Sequence, residues 1–213
     1  MKLLSKIFYS TCIFTICLLS IKGYAQIQSD TLKYDIFIDD DIIGELIVAK
    51  DVSADLSTRY TVKSNVDYRI LFSFHISFDY ETSLNPAGIF NSSSFKYVMN
   101  DDVKEENWIS CSNNECFVYE GDEISKVINQ PNEMTAIQLY FNEPDFGEMV
   151  FSERFCDKYL VEKEDTGYKI DFPGGSTNHY FYENGICNRI VIKTIVADME
   201  FKIRNYDNLL TGK

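Results

Sequence analysis

Residues 72–81 read Phe-Ser-Phe-His-Ile-Ser-Phe-Asp-Tyr-Glu. In an extended chain Phe72, Phe74, Ile76, Phe78 and Tyr80 fall on one face, and Ser73, His75, Ser77, Asp79 and Glu81 on the other. Strict alternation of this kind marks a strand with one face buried and the other wet, because successive side chains point to opposite sides of a sheet. A helix would scatter the same residues around its axis.

The pattern spreads in both directions. Upstream, Leu32, Tyr34, Ile36 and Ile38 alternate, and Asp39-Asp40-Asp41 turns the chain into Ile42–Val48. Gly44 interrupts that second strand and marks a bulge. Tyr60, Val62, Val66 and Tyr68 share a face of a third strand. Downstream, Asn85-Pro86-Ala87-Gly88 is a turn, and strands are expected over 90–99, 104–111, 116–119 and 124–128. Beyond residue 150 come strands over 151–155, 159–163, 168–172, 179–182, 186–194 and 196–204, with Asn184-Gly185 a strong hairpin signal. About a dozen short strands at hairpin spacing imply a mainly β chain, built as a strongly curved antiparallel sheet or an open β-barrel.

One stretch departs from this. In 133–141, Met134, Ile137 and Tyr140 or Phe141 recur at helical spacing, and Glu143-Pro144 ends the segment. One short helix laid against the sheet is expected there.

At the N-terminus, Lys2 and Lys6 precede an apolar run, Ile7–Ile21, and Gly23-Tyr24-Ala25 offers small residues at a cleavage site. That is a secretory signal peptide over 1–25, cut between Ala25 and Gln26. The expected product is one β-rich domain over 26–205 with a tail, 206–213. It has no second apolar run of spanning length, so no transmembrane segment is expected after cleavage. Loss of Lys2, Lys6 and Lys22 takes the formal net charge from −13 to −16. Such a surface argues against nucleic acid as a partner, since polyanions bind basic patches.

Four cysteines remain: Cys111, Cys116, Cys156 and Cys187. An even count in an exported chain favours disulfides. Cys111 and Cys116 flank Ser-Asn-Asn-Glu, a hairpin loop across which they can meet, and Cys156 with Cys187 is the second expected pair. No metal site is expected: there is no Cys-x-x-Cys, and His75 and His179 stand far apart.

Tyr34-Asp35-Ile36 with Ile43-Gly44-Glu45, Leu139-Tyr140-Phe141-Asn142-Glu143-Pro144, Phe151-Ser152-Glu153-Arg154-Phe155 and His179–Cys187 together resemble an uncharacterised family, a domain of unknown function, of exported β-rich proteins common in Bacteroidota. The resemblance implies a single β domain in the cell envelope, in the periplasm or at the outer-membrane periphery. It implies no catalytic residue and no cofactor.

The residues give a few candidates of their own. No G-x-S-x-G elbow or catalytic cysteine signature accompanies the histidines, and the abundance of carboxylates makes any chosen pair uninformative. The chain is read as non-catalytic, with a hydrolase using His179 or a carboxylate pair as one alternative. The 14 Tyr and 16 Phe carry more weight. Phe72, Phe74, Phe78, Tyr80, Tyr140 and Tyr182, with the neighbouring rings Phe95, Tyr97, Phe141 and Tyr180, either fill the core or line a hollow for a lipid or other apolar small molecule. Glu153 and Arg154 are the polar candidates. They are expected on opposite faces of a strand, with a partner such as Glu143 or Glu183, either at the mouth of the hollow or in a buried network that fixes strand order. A module that docks an envelope protein through a sheet edge is the other alternative.

Overall fold

The structure, a computed structural model, describes residues 28–69, 73–195 and 197–204. The signal cut at Ala25 and Gln26, Phe72 and the tail 206–213 lie outside the described residues. The strands are β1 (Gln28–Ile38), β2 (Asp41–Val52), β3 (Thr58–Arg69), β4 (Ser73–Leu84), β5 (Phe90–Met99), β6 (Asp102–Ser112), β7 (Glu115–Glu120), β8 (Glu123–Asn129), β9 (Met134–Thr135), β10 (Met149–Ser152), β11 (Asp157–Leu160), β12 (Glu162–Glu164), β13 (Gly167–Phe172), β14 (Ser176–Glu183), β15 (Ile186–Lys193) and β16 (Met199–Ile203). Thirteen form one antiparallel sheet in the order β12-β13-β14-β15-β16-β1-β2-β3-β4-β5-β6-β7-β8. The sheet is not closed, and β8 and β12 are its edges. Two meanders are joined where the first strand meets the last, with Tyr34 opposite Ile203 and Ile36 opposite Phe201.

Register carries the alternation of each strand into a common inner face. Val48 lies opposite Val62, Val62 opposite Tyr80, and Tyr80 opposite Phe95. A one-residue slip would turn every such ring outward, so the buried face fixes the pairing. Local chemistry supports it. Asn184 (φ 52°) and Gly185 (φ 80°) take the left-handed conformations that a two-residue hairpin between β14 and β15 requires. The expected irregularity at Gly44 is present: the β1–β2 register shifts between Ile36 and Phe37, opposite Gly44 and Ile42. There β3 comes so close that a Cβ on Gly44 would stand 2.2 Å from the Asn65 carbonyl oxygen.

The segment between β8 and β12 is an insert. Strands β9, β10 and β11 form a small separate sheet, with β9 parallel to β10. The expected helix is a single 3-10 turn, Ala136–Tyr140, capped by Thr135 and Gln138. Only seven residues, 136–142, separate β9 from the Glu143-Pro144 stop, room for little more than this one turn. Its buried side chains are Ile137 and Leu139. Together with Phe141, Val150 and Phe151 they fill the concave side of the sheet at the Tyr60, Leu84 and Phe90 end. Phe151 meets Phe90 edge-on at 5.3 Å, and Phe141 lies 5.8 Å from Tyr60. On the other flank the Tyr182 hydroxyl donates to the Leu139 carbonyl at 2.9 Å, and the Tyr168 hydroxyl to Glu143 at 2.9 Å.

The expected strand over 151–155 ends at Ser152. Residues 153–156 turn, with Cys156 at φ 53°. This turn reaches both sides of the open sheet. Asn107 of β6 donates to the Arg154 carbonyl at 2.8 Å, Lys126 of β8 to the Cys156 carbonyl at 3.0 Å, and the Phe155 ring lies 5.6 Å from Phe172 of β13. The insert spans the gap that the strands leave.

Cys111 and Cys116 are joined across the β6–β7 hairpin, as expected from the loop between them. Cys156 and Cys187 are not paired: both are buried free thiols. The reason is placement. Cys156 belongs to the insert turn, where its thiol faces the Glu153 carbonyl, while Cys187 opens β15 and faces the Arg189 carbonyl.

Candidate functional site: a half-filled hollow

Burial changes along the inner face. On β4, Thr82 and Leu84 are buried under the insert, whereas Ile76, Phe78 and Tyr80 are only half-buried. On β5, Phe90, Ser93 and Phe95 are buried and Tyr97 is not. The insert covers one end of the trough and leaves the other open. There a cavity of about 340 Å³ remains, with Phe78, Tyr80, Phe95, Tyr97, Phe155 and Phe172 on its walls. Met199 and Phe201 of β16 with Ile192 of β15 close the far side, and Tyr140 and Tyr180 line it as well. That volume lies at the lower end of the ~300–1,000 Å³ usual for small-molecule sites, which are mostly apolar with a few placed polar groups.

The polar groups are few here also. Ser64, Ser152, Ser176, Thr194 and Asn178 contribute small dipoles, and Asn178 donates to the Tyr180 hydroxyl at 3.1 Å. Burial pushes the Tyr140 and Tyr180 hydroxyls well above the usual tyrosine range, so both are neutral hydrogen-bonding groups at any physiological pH.

Of the residues singled out from the sequence, Phe78, Tyr80, Tyr140 and Arg154 come together on this cavity, as do the neighbouring rings Phe95, Tyr97 and Tyr180. Three others do not. Phe74 lies further along β4, opposite Tyr68, outside the cavity wall. Tyr182 is committed to the insert through Leu139. Glu153 is completely buried beneath the cavity rather than at its mouth.

Glu153 is the latch between insert and sheet. Its carboxyl accepts from the Thr82 hydroxyl at 3.0 Å and the Ala136 N–H at 3.2 Å, and the Tyr80 hydroxyl bonds the same group. Burial pushes its pKa up despite these donors. The partners expected from the sequence are engaged elsewhere: Glu143 with Tyr168, and Glu183 with Asn188. Arg154 takes the opposite route. Its Nε and Nη2 hold the Glu105 carboxylate at 2.7–3.2 Å, and its guanidinium stands 4.9 Å from the Phe155 ring and 5.3 Å from the Phe95 ring. Because 153 and 154 lie in a turn, strand alternation does not apply to them; one points into the core and the other to the cavity rim.

Sequence reasoning missed Phe155, Phe172, Phe201 and Glu105. Phe172 was legible as the last residue of a strand carrying Tyr168 and Ile170 on the same face. Glu105 sits two residues before Asn107 and four before the buried Ile109, and that parity alone turns it inward.

The histidines lie on the outer face. His75 Nδ1 is 2.8 Å from Asp67, and His179 Nδ1 is 2.8 Å from Glu164. Among the described residues no group of three or more His, Cys, Asp and Glu is placed to hold a metal ion. No helix among them is long and apolar enough to cross a membrane.

The family model described as "Domain of unknown function (DUF6134)" matches residues 34–204, which run from within β1 through β16 and include the insert. The chain belongs to that family. No curated protein matches it. A crystal structure described as a beta-barrel-like protein of Domain of Unknown Function DUF1849 from Brucella abortus is similar, with a TM-score of 0.53 at 11% identity over 84% of this chain and 96% of that chain. At such identity the likeness is one of fold. It accords with a DUF6134 sheet that curls toward a barrel without closing.

Proposed function

We propose that this DUF6134 chain is an exported, non-catalytic protein that holds one lipophilic molecule in the open half of its sheet. The observation that carries the reading is the cavity of about 340 Å³, walled by aromatic and aliphatic side chains beside a fully packed insert. A core built only for stability would fill such a space, since interiors pack to crystal-like density and voids weaken them. The Cys111–Cys116 bridge supports an oxidising compartment, where disulfides persist. This, together with the basic and apolar N-terminus read from the sequence, supports an envelope location, periplasmic or at the outer-membrane periphery.

Native mass spectrometry of the gently purified chain, with organic extraction, tests the reading. The expected result is co-purified lipid and fluorescence of an added hydrophobic dye. Ser64→Phe, which points a ring into the cavity from its wall, should abolish the dye signal with the circular dichroism unchanged. Absence of extractable lipid together with no dye signal from the parent chain would refute it.

A second reading rests on the opposite face. Trp108 and Tyr119 stack at 3.8 Å beside the edge strand β8, and Trp108, Ile124 and Val127 are exposed. An envelope protein could dock there, and cross-linking in cells followed by recovery of a stoichiometric partner separates this from the carrier.

A further inference from the structure

Two spaces meet at Arg154 and Phe155. The apolar cavity described above has Arg154 as its single charged wall residue among the described residues. Behind it lies a second basin, of about 590 Å³, whose charged wall residues besides Arg154 are Lys104, Glu105, Glu106, Glu120 and Lys126. Arg154 and Phe155 belong to both walls. The apolar and the charged compartment thus share a wall, with a guanidinium at the junction.

The guanidinium lies outside the buried core: its side chain is 37% exposed. Glu105 takes Nε and Nη2, and the Phe95 and Phe155 rings flank the plane. A fork fixed on two sides presents its remaining Nη1 donors in a set direction, which suits a planar or tetrahedral oxyanion. Lys126 adds a second cation, and its ammonium rests on the Cys156 carbonyl at 3.0 Å, a neutral partner. In a chain whose formal net charge is −13, Arg154 and Lys126 stand where the apolar cavity and the charged basin adjoin, among the carboxylates of Glu105, Glu106 and Glu120.

Building on the carrier reading above, we infer that the ligand is a single-chain amphiphile with an anionic head, its tail in the aromatic cavity and its carboxylate or phosphate at Arg154. Glu105 sets the strength of this contact by sharing the guanidinium with the ligand, so that binding stays reversible.

The test is a comparison of dodecanoate, dodecyl phosphate and dodecanol by isothermal titration with the purified chain at low salt. The two anions are expected to bind at least tenfold tighter than the alcohol. Arg154→Gln should erase that preference while leaving dodecanol affinity within about twofold, which also shows that the variant is folded. Glu105→Gln should raise affinity for both anions by several-fold, because it frees the fork. A preference for one anion over the other identifies the head as carboxylate or phosphate. Equal affinity for acid and alcohol in the parent chain, or an anion preference that survives Arg154→Gln, overturns the inference and leaves the carrier reading standing. No binding of any of the three overturns both.

Discussion

Replacement of Glu153 probes the junction on which the architecture turns. The residue is fully buried, and its carboxyl takes donors from Thr82 and Tyr80 of β4 and from Ala136 of the insert. Glu153→Ala strands all three donors in a dry interior. Each unsatisfied buried donor costs about 1–3 kcal/mol, and partial collapse around the smaller side chain relieves some of it. A loss of about 3–5 kcal/mol is expected, or roughly 10 °C in Tm for a domain of this size. Glu153→Gln keeps the shape and one acceptor oxygen but turns an amide N–H toward a donor, and should lose about 1–3 kcal/mol.

The pH dependence sharpens the test. Burial raises the folded-state pKa of Glu153, so between the unfolded value, about 4.3, and the folded one the native state binds the extra proton. In that window stability due to Glu153 falls as pH rises, and above the folded pKa it is flat. Glutamine has no such dependence. Urea titrations of parent and Glu153→Gln from pH 4 to pH 8 should therefore show a gap that narrows with increasing pH. A gap that widens would mean that the three donors outweigh desolvation and that the anion is the favoured form. An Ala variant within 1 kcal/mol of the parent would refute the latch altogether.

Three further outcomes follow from single features. Gly44→Ala places a Cβ 2.2 Å from the Asn65 carbonyl oxygen and 2.9 Å from Val66 Cα, so β2 and β3 must separate; the urea midpoint should fall by the equivalent of about 1–3 kcal/mol or more with an unchanged slope. Removing the Cys111–Cys116 bridge by double replacement with serine opens a loop of sequence separation 5, and the entropy of so short a loop sets the loss at about 2 kcal/mol by the same measurement. Burial pushes the Cys156 thiol to about 11 and the Cys187 thiol to about 12; Ellman's reagent at pH 8 should leave both unmodified in the folded chain and titrate both in guanidinium chloride, and fast labelling of either without denaturant would contradict their placement.

What the sequence reveals about this fold is what depends on neighbours in the chain. Alternation over 72–81 assigns Ile76, Phe78 and Tyr80 to the inner face, and the pairing of Phe78 with Tyr97 and Tyr80 with Phe95 confirms it. Asn184-Gly185 and the interruption at Gly44 are equally local, because turn and bulge conformations are properties of a few residues. The same reasoning fails at 151–155. Phe151, Glu153 and Phe155 alternate like a strand, yet the strand stops at Ser152 because Glu153 is drawn to donors on β4, which are remote in sequence. Nor could alternation separate rings that are packed from rings that face a cavity. Phe90 and Phe95 differ in parity and share the inner face only because the β4–β5 register shifts between Ser83 and Leu84, and only the position of the insert decides that the first is sealed by Phe151 and the second lines a space.

That position has a structural cause in the unclosed sheet. A barrel closed by hydrogen bonds between β8 and β12 would surround its interior with backbone and leave no gap for an insert to enter. Here the gap is spanned by side chains instead: Asn107 and Lys126 bind the turn from one side, and Phe172 packs on Phe155 from the other. Contacts of this kind are fewer and more polar than a strand ladder, and polar contacts exchange with water at low net cost. The residues that span the gap, Arg154 and Phe155, are also those that line the cavity. On the carrier reading proposed above a molecule in the cavity would touch the seam itself, while Glu153 in the same turn, bonded to Thr82 and Ala136, keeps that seam fixed to the sheet. The same insert thus does two things: its 3-10 turn and β10 fill one half of the trough, and its 153–156 turn walls the other.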